Sequence, residues 1–294
     1  MVGALTTGFV ILAVAASCGF ASLFYAIGVT RARRRGRTTP PLWRRFSFGT
    51  GIALLLISLI GPVDTLSGQY FTMHMIQHLL LVLIVPPLLL LGAPVVMVLR
   101  GLPAFLQRPV FVTVARNRVM RRITQTLLHS HVALGLFLAT LWLWHVPQLY
   151  SAAVDDEIIH VLEHTTFFWP AVFFWWNVVD SWPFRARLSA PRRLLYIFLA
   201  TAGLKLVGVL ITVSGQVLYT AYLLPREGST FTALDDQRIG GLIMWMGGGL
   251  YMLLPLAIVF FRWAQQDAMA APMPPARRSA TAAPSPQSNP HEPV

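Results

Sequence analysis

The chain has 294 residues, of which 55% are hydrophobic and only 12% are charged. Soluble globular domains carry about 25% charged residues, so the composition excludes an ordinary soluble protein and indicates an integral membrane protein. The single cysteine, Cys18, excludes a disulfide framework and a metal site built from cysteine alone. The net charge of +12 comes from basic residues in short segments between apolar runs, which is typical of membrane topology and not of a nucleic-acid-binding surface.

Apolar runs predict an all-α membrane protein, a bundle of about seven transmembrane helices in one domain over residues 1–263. Within the third run, Pro86 and Pro87 should kink or break the helix. After the seventh, residues 264–294 are rich in Pro, Ala and Ser, so we expect a disordered cytoplasmic tail. The predicted spans cover about 5–30, 46–62, 70–98, 130–147, 158–179, 194–214 and 239–262.

The charge of the connecting segments alternates along the chain. Arginines crowd the segments after the first, third, fifth and seventh spans. The loop after the second span contains Asp64, and the loop after the fourth contains Asp155, Asp156 and Glu157, with no basic residue in either. The excess of basic residues on one side predicts that the N-terminus lies outside and the C-terminus lies in the cytoplasm.

Two histidine pairs of equal spacing lie inside predicted spans. His74 and His78 belong to MHMIQHLLL in the third span, and His160 and His164 belong to IIHVLEHTTFFW in the fifth. Residues four apart lie on one face of a helix, so each pair presents two imidazoles along one stripe. Ionisable side chains at membrane depth are costly, and a functional site is the default interpretation.

The predicted topology brings these histidines to one level. Both spans start at the outer face, and at 1.5 Å per residue the pairs lie roughly 6–12 Å below it. The fourth span ends at the same face with His145, in WLWHVPQLY. Five of the eight histidines therefore form a predicted layer near the outer surface.

Imidazoles in such a layer suit a metal site, because neutral imidazole binds copper, zinc and iron. Met73 and Met75 flank His74, and Met244 and Met246 lie near the outer end of the seventh span. Their thioether groups would favour copper, particularly Cu(I). Glu163 directly precedes His164 and is expected to face elsewhere on the helix, where it pairs with a neighbour or orients a histidine. We therefore predict a metal centre with these residues in supporting positions.

Two other functions use the same residue types. Histidines on facing helices can ligate haem axially in an electron carrier, although a pair four residues apart on one helix suits one metal ion better than stacked porphyrins. A proton or solute transporter would use Lys205 in the sixth span together with the interrupted third span. The chain has no internal repeat of the kind found in many transporters.

Three stretches of the sequence resemble the CtaG-like family of membrane proteins that assemble caa-type cytochrome c oxidase. They are MHMIQHLLLVLIVPPLLLLGAP, WHVPQLYSAAVDDEIIHVLEHTTFFWPAVFFWW and DQRIGGLIMWMGGGL. The resemblance runs from about Tyr70 to Trp263 and implies a non-enzymatic factor in a bacterial plasma membrane. That factor would supply copper to a membrane subunit of a haem-copper oxidase. The family's motif residues map onto His74, His78, His145, His160, His164, Asp236 and Gln237.

Overall fold

The computed structural model describes residues 2–184, 186, 188–223 and 232–270. Within these residues the chain forms fourteen α-helices, two π-helical segments and one 3-10 turn, with no strand. The α-helices are α1 Val2–Arg34, α2 Leu42–Ile60, α3 Pro62–Ser67, α4 Phe71–Leu79, α5 Val85–Leu91, α6 Pro94–Gly101, α7 Ala104–Arg116, α8 Arg118–Leu127, α9 Ser130–Trp144, α10 Pro147–Asp155, α11 Glu157–Trp176, α12 Ala190–Val213, α13 Ala233–Leu242 and α14 Gly248–Ala270. The π-helical segments are Leu80–Ile84 and Ile243–Gly247, and the 3-10 turn is Thr220–Tyr222.

Five helical stretches of the described chain are long and apolar enough to cross a membrane. A sixth is added if α8 and α9, which meet at a 65° bend, form one span. The predicted fifth span corresponds to α11, which has 20 residues but is made more polar by its carboxylates and imidazoles. An all-helical architecture with five or six candidate spans is confirmed in the described residues, whereas seven spans and their orientation stay predictions. The five stretches are Thr7–Arg34, Leu42–Ser67, Phe71–Leu91, Ala190–Val213 and Ala233–Met269.

The third stretch remains helical through Pro86 and Pro87, where the sequence predicts a kink or break. A π-helical segment precedes the two prolines. Pro86 has no N–H and cannot donate to the carbonyl of Val82, four residues earlier. The indole Nε1 of Trp175, on α11, donates to that carbonyl instead at 2.8 Å. The indole therefore satisfies a carbonyl that would be costly to leave unpaired in a membrane.

This helix ends earlier than predicted, at Leu91 and not near residue 98. Ala93 has a left-handed backbone with φ 57°, which no α-helix continues, and Pro94 then begins α6. Helix α6 packs closely on α1, since a Cβ atom at Gly28 would overlap the carbonyl of Met97. The predicted single third span is thus a spanning helix followed by a short separate one.

The last span begins earlier and ends later than predicted. Thr232 and Asp235 form a capping box at the start of α13, in which each side chain accepts a hydrogen bond from the backbone N–H of the other residue. The helix continues through the second π-helical segment and α14 to Ala270. The predicted tail beyond Ala270 lies outside the described residues, and the division at residue 263 stays a prediction.

The main core lies between α4, α9, α11, α12 and the last span. It contains fully buried aromatic and aliphatic side chains, including Phe71, Tyr150, Phe174, Ile197 and Met252. A smaller cluster of Tyr25, Phe48 and Met97 joins α1, α2 and α6 at the side. Helix α4 and the first half of α11 therefore face each other inside the larger unit.

We predict that Trp175→Phe destabilises the protein by about 1–3 kcal/mol, because it leaves the Val82 carbonyl buried without a donor. Thermal unfolding in detergent micelles measures the change. Trp169→Phe is the matched control, since Trp169 lies on the same helix and is 52% exposed. Equal unfolding temperatures for the two variants would contradict the role of the indole hydrogen bond.

Candidate metal centre

The N-terminus of α4 is held by Asp236, on α13. Its carboxylate accepts hydrogen bonds from the backbone N–H groups of Phe71 at 2.8 Å and Thr72 at 3.1 Å. The Thr72 hydroxyl donates to the Asp236 carbonyl at 3.0 Å. A carboxylate at a helix N-terminus satisfies free N–H groups and complements the helix dipole. Asp236 therefore fixes the first turn of the helix that carries His74 and His78.

The N-terminus of α11 is capped within its own chain segment. Asp156 Oδ1 accepts from the N–H groups of Ile158 at 2.8 Å and Ile159 at 3.1 Å, which is the usual geometry of an aspartate N-cap. Trp144, at the end of α9, donates from Nε1 to the Thr166 hydroxyl at 2.8 Å. These contacts fix the level of His160 and His164 relative to α9.

Glu163, on α11, is fully buried, and its carboxylate lies between α11 and α4. Its Oε2 atom is 3.5 Å from His74 Nε2, and its Oε1 atom is 3.5 Å from His78 Nε2. One ligand atom from each of His74, His160, Glu163 and His164 lies within 4.8 Å of the others. We call these four residues the His/Glu cluster, with His78 adjoining it through Glu163.

The ligand atoms of this region have no hydrogen-bond partner among the described residues. This holds for Nε2 of all five predicted histidines, for Nδ1 of His78 and for both carboxylate oxygens of Glu163. The two 3.5 Å contacts are longer than hydrogen bonds, which lie at about 2.7–3.2 Å. Each buried unpaired polar atom costs about 1–3 kcal/mol, so their concentration in one place indicates a ligand that they share.

Two of the histidines are held in the tautomer that can bind a metal through Nε2. His145 Nδ1 lies 2.6 Å from the Leu141 carbonyl, which only accepts, so Nδ1 carries the proton. Tyr222 donates its hydroxyl proton to the Ser67 carbonyl at 2.9 Å, so His74 Nδ1, 2.9 Å from that hydroxyl, is the donor there. Both Nε2 atoms therefore keep a free lone pair, as in known histidine metal ligands.

Aromatic residues that the sequence did not single out surround His74. Tyr150 is fully buried, and its ring centroid lies 5.0 Å from that of His74. Tyr219 donates from its hydroxyl to the His145 carbonyl at 3.1 Å. Nothing in the local sequence marks Tyr219 or Tyr222, because they lie in the segment between α12 and α13, far along the chain from the histidines.

The structure separates the predicted supporting residues into groups. Glu163 faces the cluster and not elsewhere on α11, because it follows His160 by three residues and shares its face. Met75 and Met244 line a small cavity together with His78 and His145. Met73 instead lines a separate cavity beside Asp236.

Gln237 has no contact with the cluster among its described hydrogen bonds, and it anchors the segment that follows α12. Its Oε1 accepts from the Leu218 N–H at 2.6 Å, and its Nε2 donates to the Gln216 carbonyl at 3.1 Å. Leu218 directly precedes Tyr219 in the chain. Like Asp236, Gln237 positions the residues around the cluster through hydrogen bonds to the backbone.

A cavity of about 310 Å³ reaches the cluster from the side of α1 and α2. His160 and His164 line it, as do the carboxylates of Asp64 and Glu157. The Gln77 side chain donates to Asp64 Oδ1 at 2.8 Å. Acidic groups along a cavity attract cations, so this passage suits the approach of a positively charged ion.

Curated relatives of the chain come from mycobacteria. Uncharacterized proteins of Mycobacterium bovis and Mycobacterium tuberculosis are each 28% identical over 246 residues, and one of Mycobacterium leprae is 27% identical over 256 residues. Each alignment covers 83% of this chain and 37% of the relative. The chain therefore spans little more than a third of the length of these relatives. No solved structure matches it.

The sequence profile of one protein family matches residues 23–266. The match covers most of the chain, including every residue of the His/Glu cluster, His78, His145 and the two helix anchors Asp236 and Gln237. It agrees with the resemblance carried by the three sequence motifs. The chain belongs to the cytochrome c oxidase caa3 assembly factor family.

Proposed function

We propose that this protein is a non-enzymatic assembly factor that binds copper as cargo at the His/Glu cluster and passes it to a haem-copper oxidase. The observation that carries the proposal is the convergence of unpartnered ligand atoms around the buried Glu163. A cation between the imidazoles and the carboxylate would use lone pairs that otherwise stay unpaired. It would also compensate the buried negative charge.

Copper fits this donor set and its surroundings. Imidazole nitrogen together with a carboxylate oxygen suits divalent copper or zinc, and thioether sulfur adds a preference for copper. Met75 and Met244 lie next to His78 and His145. Family membership favours copper over zinc, because the assembled oxidase contains copper and haem.

The proposed orientation places the cluster near the outer face of a bacterial plasma membrane. Seven spans, with α11 as the fifth, would put the starts of α4 and α11 and the end of α9 on that side. The side cavity with Asp64 and Glu157 would then admit copper from outside the cytoplasm. A membrane subunit of the oxidase is the proposed acceptor.

Haem binding and transport fit the geometry less well. Ligand atoms of four residues converge within 4.8 Å of one another, which suits one metal ion, whereas a haem iron takes axial ligands from opposite faces of a wide flat ring. In the described chain, Lys205 is in no ion pair, and its side chain packs on Gly249. No ion pair therefore links it to Glu163.

We predict that His160→Ala with His164→Ala abolishes stoichiometric Cu(II) binding, because it removes two of the four cluster ligands. The measurement is elemental analysis of purified protein after loading with Cu(II) in air. His129→Ala with His131→Ala is the control, since this pair also lies close together, with ring centroids 5.4 Å apart, but outside the cluster. Unchanged copper in the cluster variant would place the metal elsewhere.

Tyr222→Phe should weaken Cu(II) binding about 10–100-fold, because partners that orient a histidine ligand contribute on that scale. Phenylalanine keeps the ring and removes the oxygen that accepts from His74 Nδ1. Competition titration with a chelator measures the affinity. Tyr251→Phe, on α14 and remote from the cluster, should bind as the unchanged protein does, and an equal loss in both variants would contradict the prediction.

Cells that lack the gene should make an oxidase that contains its haems but lacks copper. Metal and haem analysis of the purified oxidase distinguishes this result from a general failure of membrane assembly. Complementation with the His160→Ala, His164→Ala variant should not restore copper. An oxidase with its full copper content in the deletion strain would contradict the assembly role.

A further inference from the structure

A second group of possible ligands borders a cavity that His78 lines and Glu163 does not. The cavity, of about 10 Å³, is bordered by His78, His145, Met75 and Met244. This volume is about that needed by a single water molecule. The rest of its wall is apolar and consists of Leu79, Val82, Leu141, Phe167 and Leu204.

Both imidazoles at this cavity have nitrogens without hydrogen-bond partners in the described chain. His78 is 5% exposed and His145 is 8% exposed, and their ring centroids lie 6.0 Å apart. The bond from His145 Nδ1 to the Leu141 carbonyl leaves Nε2 with its lone pair. Neither His78 nitrogen has a partner. Buried imidazoles without partners point to a ligand here as well.

Met75 and Met244 are each the more buried of two methionines that lie two residues apart in the chain. Met75 is 1% exposed and Met244 is 2% exposed, whereas Met246 is 53% exposed. Met244 belongs to the π-helical segment Ile243–Gly247. Such segments add a residue to a helical turn and are frequent at functional sites. The backbone therefore places Met244, and not Met246, against the histidines.

The chemistry of this cavity differs from that of the His/Glu cluster. It offers two neutral nitrogens and two thioether sulfurs, and its lining contains no carboxylate. Soft sulfur ligands and imidazoles favour Cu(I) over harder divalent ions. An uncharged site in an apolar wall also disfavours a doubly charged ion, whose desolvation costs more than that of a singly charged one.

We propose that Met75, His78, His145 and Met244 form a second subsite that is selective for Cu(I). The inference rests on the proposed copper function and adds a position next to the first one. His78 is common to both, since its Nε2 lies 3.5 Å from Glu163 Oε1 while its ring borders the second cavity. A copper ion already held as Cu(I) by the cluster imidazoles can move to the second position by exchange of ligands at His78, with no change in oxidation state.

The test is X-ray absorption at the copper edge on full-length protein loaded with Cu(I) without oxygen. The unchanged protein should show sulfur neighbours of copper, and Met75→Leu with Met244→Leu should show only nitrogen and oxygen. The double variant should also lose Cu(I) affinity by roughly tenfold or more, or about 1.4 kcal/mol. Leucine approximately preserves the volume of methionine, so the fold should tolerate both changes.

Met73→Leu with Met246→Leu is the matched control, because these methionines lie two residues away on the same helical segments and outside the cavity. It should keep both the sulfur neighbours and the Cu(I) affinity. Cu(II) binding by the Met75→Leu, Met244→Leu variant should equal that of the unchanged protein. Absence of sulfur neighbours in the unchanged protein, with Cu(II) still bound, would overturn the subsite and leave the cluster proposal intact. Absence of all copper binding would overturn both.

Discussion

A fully buried carboxylate lies between helices that otherwise pack through apolar side chains. Removing such a charge from water costs several kcal/mol even after relaxation, unless a positive partner compensates it. Glu163 contacts two imidazoles at 3.5 Å, whereas hydrogen bonds between charged groups are about 2.7–2.9 Å long. The spacing is too wide for direct proton-bridged pairs and leaves room for a metal ion.

Polar anchors at helix ends keep the histidines level. Asp236, on α13, accepts hydrogen bonds from the start of α4, and Asp156 caps α11. Trp175, on α11, donates to the Val82 carbonyl, to which Pro86 cannot donate. Each anchor joins or fixes an element that carries a ligand, so the site depends on contacts between segments distant in the chain. Asp236 and Gln237 are therefore positioning residues. Their carboxylate and amide groups resemble metal ligands in the sequence, but in the structure they bind backbone groups of neighbouring segments.

The sequence predicted the helical class and the proximity of five histidines, because hydropathy and the spacing of residues along a helix can be read from local sequence. It also contained the signal for Glu163, whose spacing of three from His160 places both on one face. It could not reveal Tyr222, which meets His74 only through a tertiary contact, or the Ser67 carbonyl that accepts from the Tyr222 hydroxyl. The extents of the third and last spans were wrong for local reasons, namely the left-handed Ala93 and the capping box at Thr232.

The most direct test of the account is anomalous X-ray diffraction at the copper edge from crystals of the copper-loaded protein. We expect a copper peak within ligand distance of Glu163 and of imidazole nitrogens from both α4 and α11. A Cu(I)-loaded crystal should show its peak at His78 and His145, beside Met75 and Met244. A copper-loaded crystal with no peak near Glu163 or His78 would contradict the account.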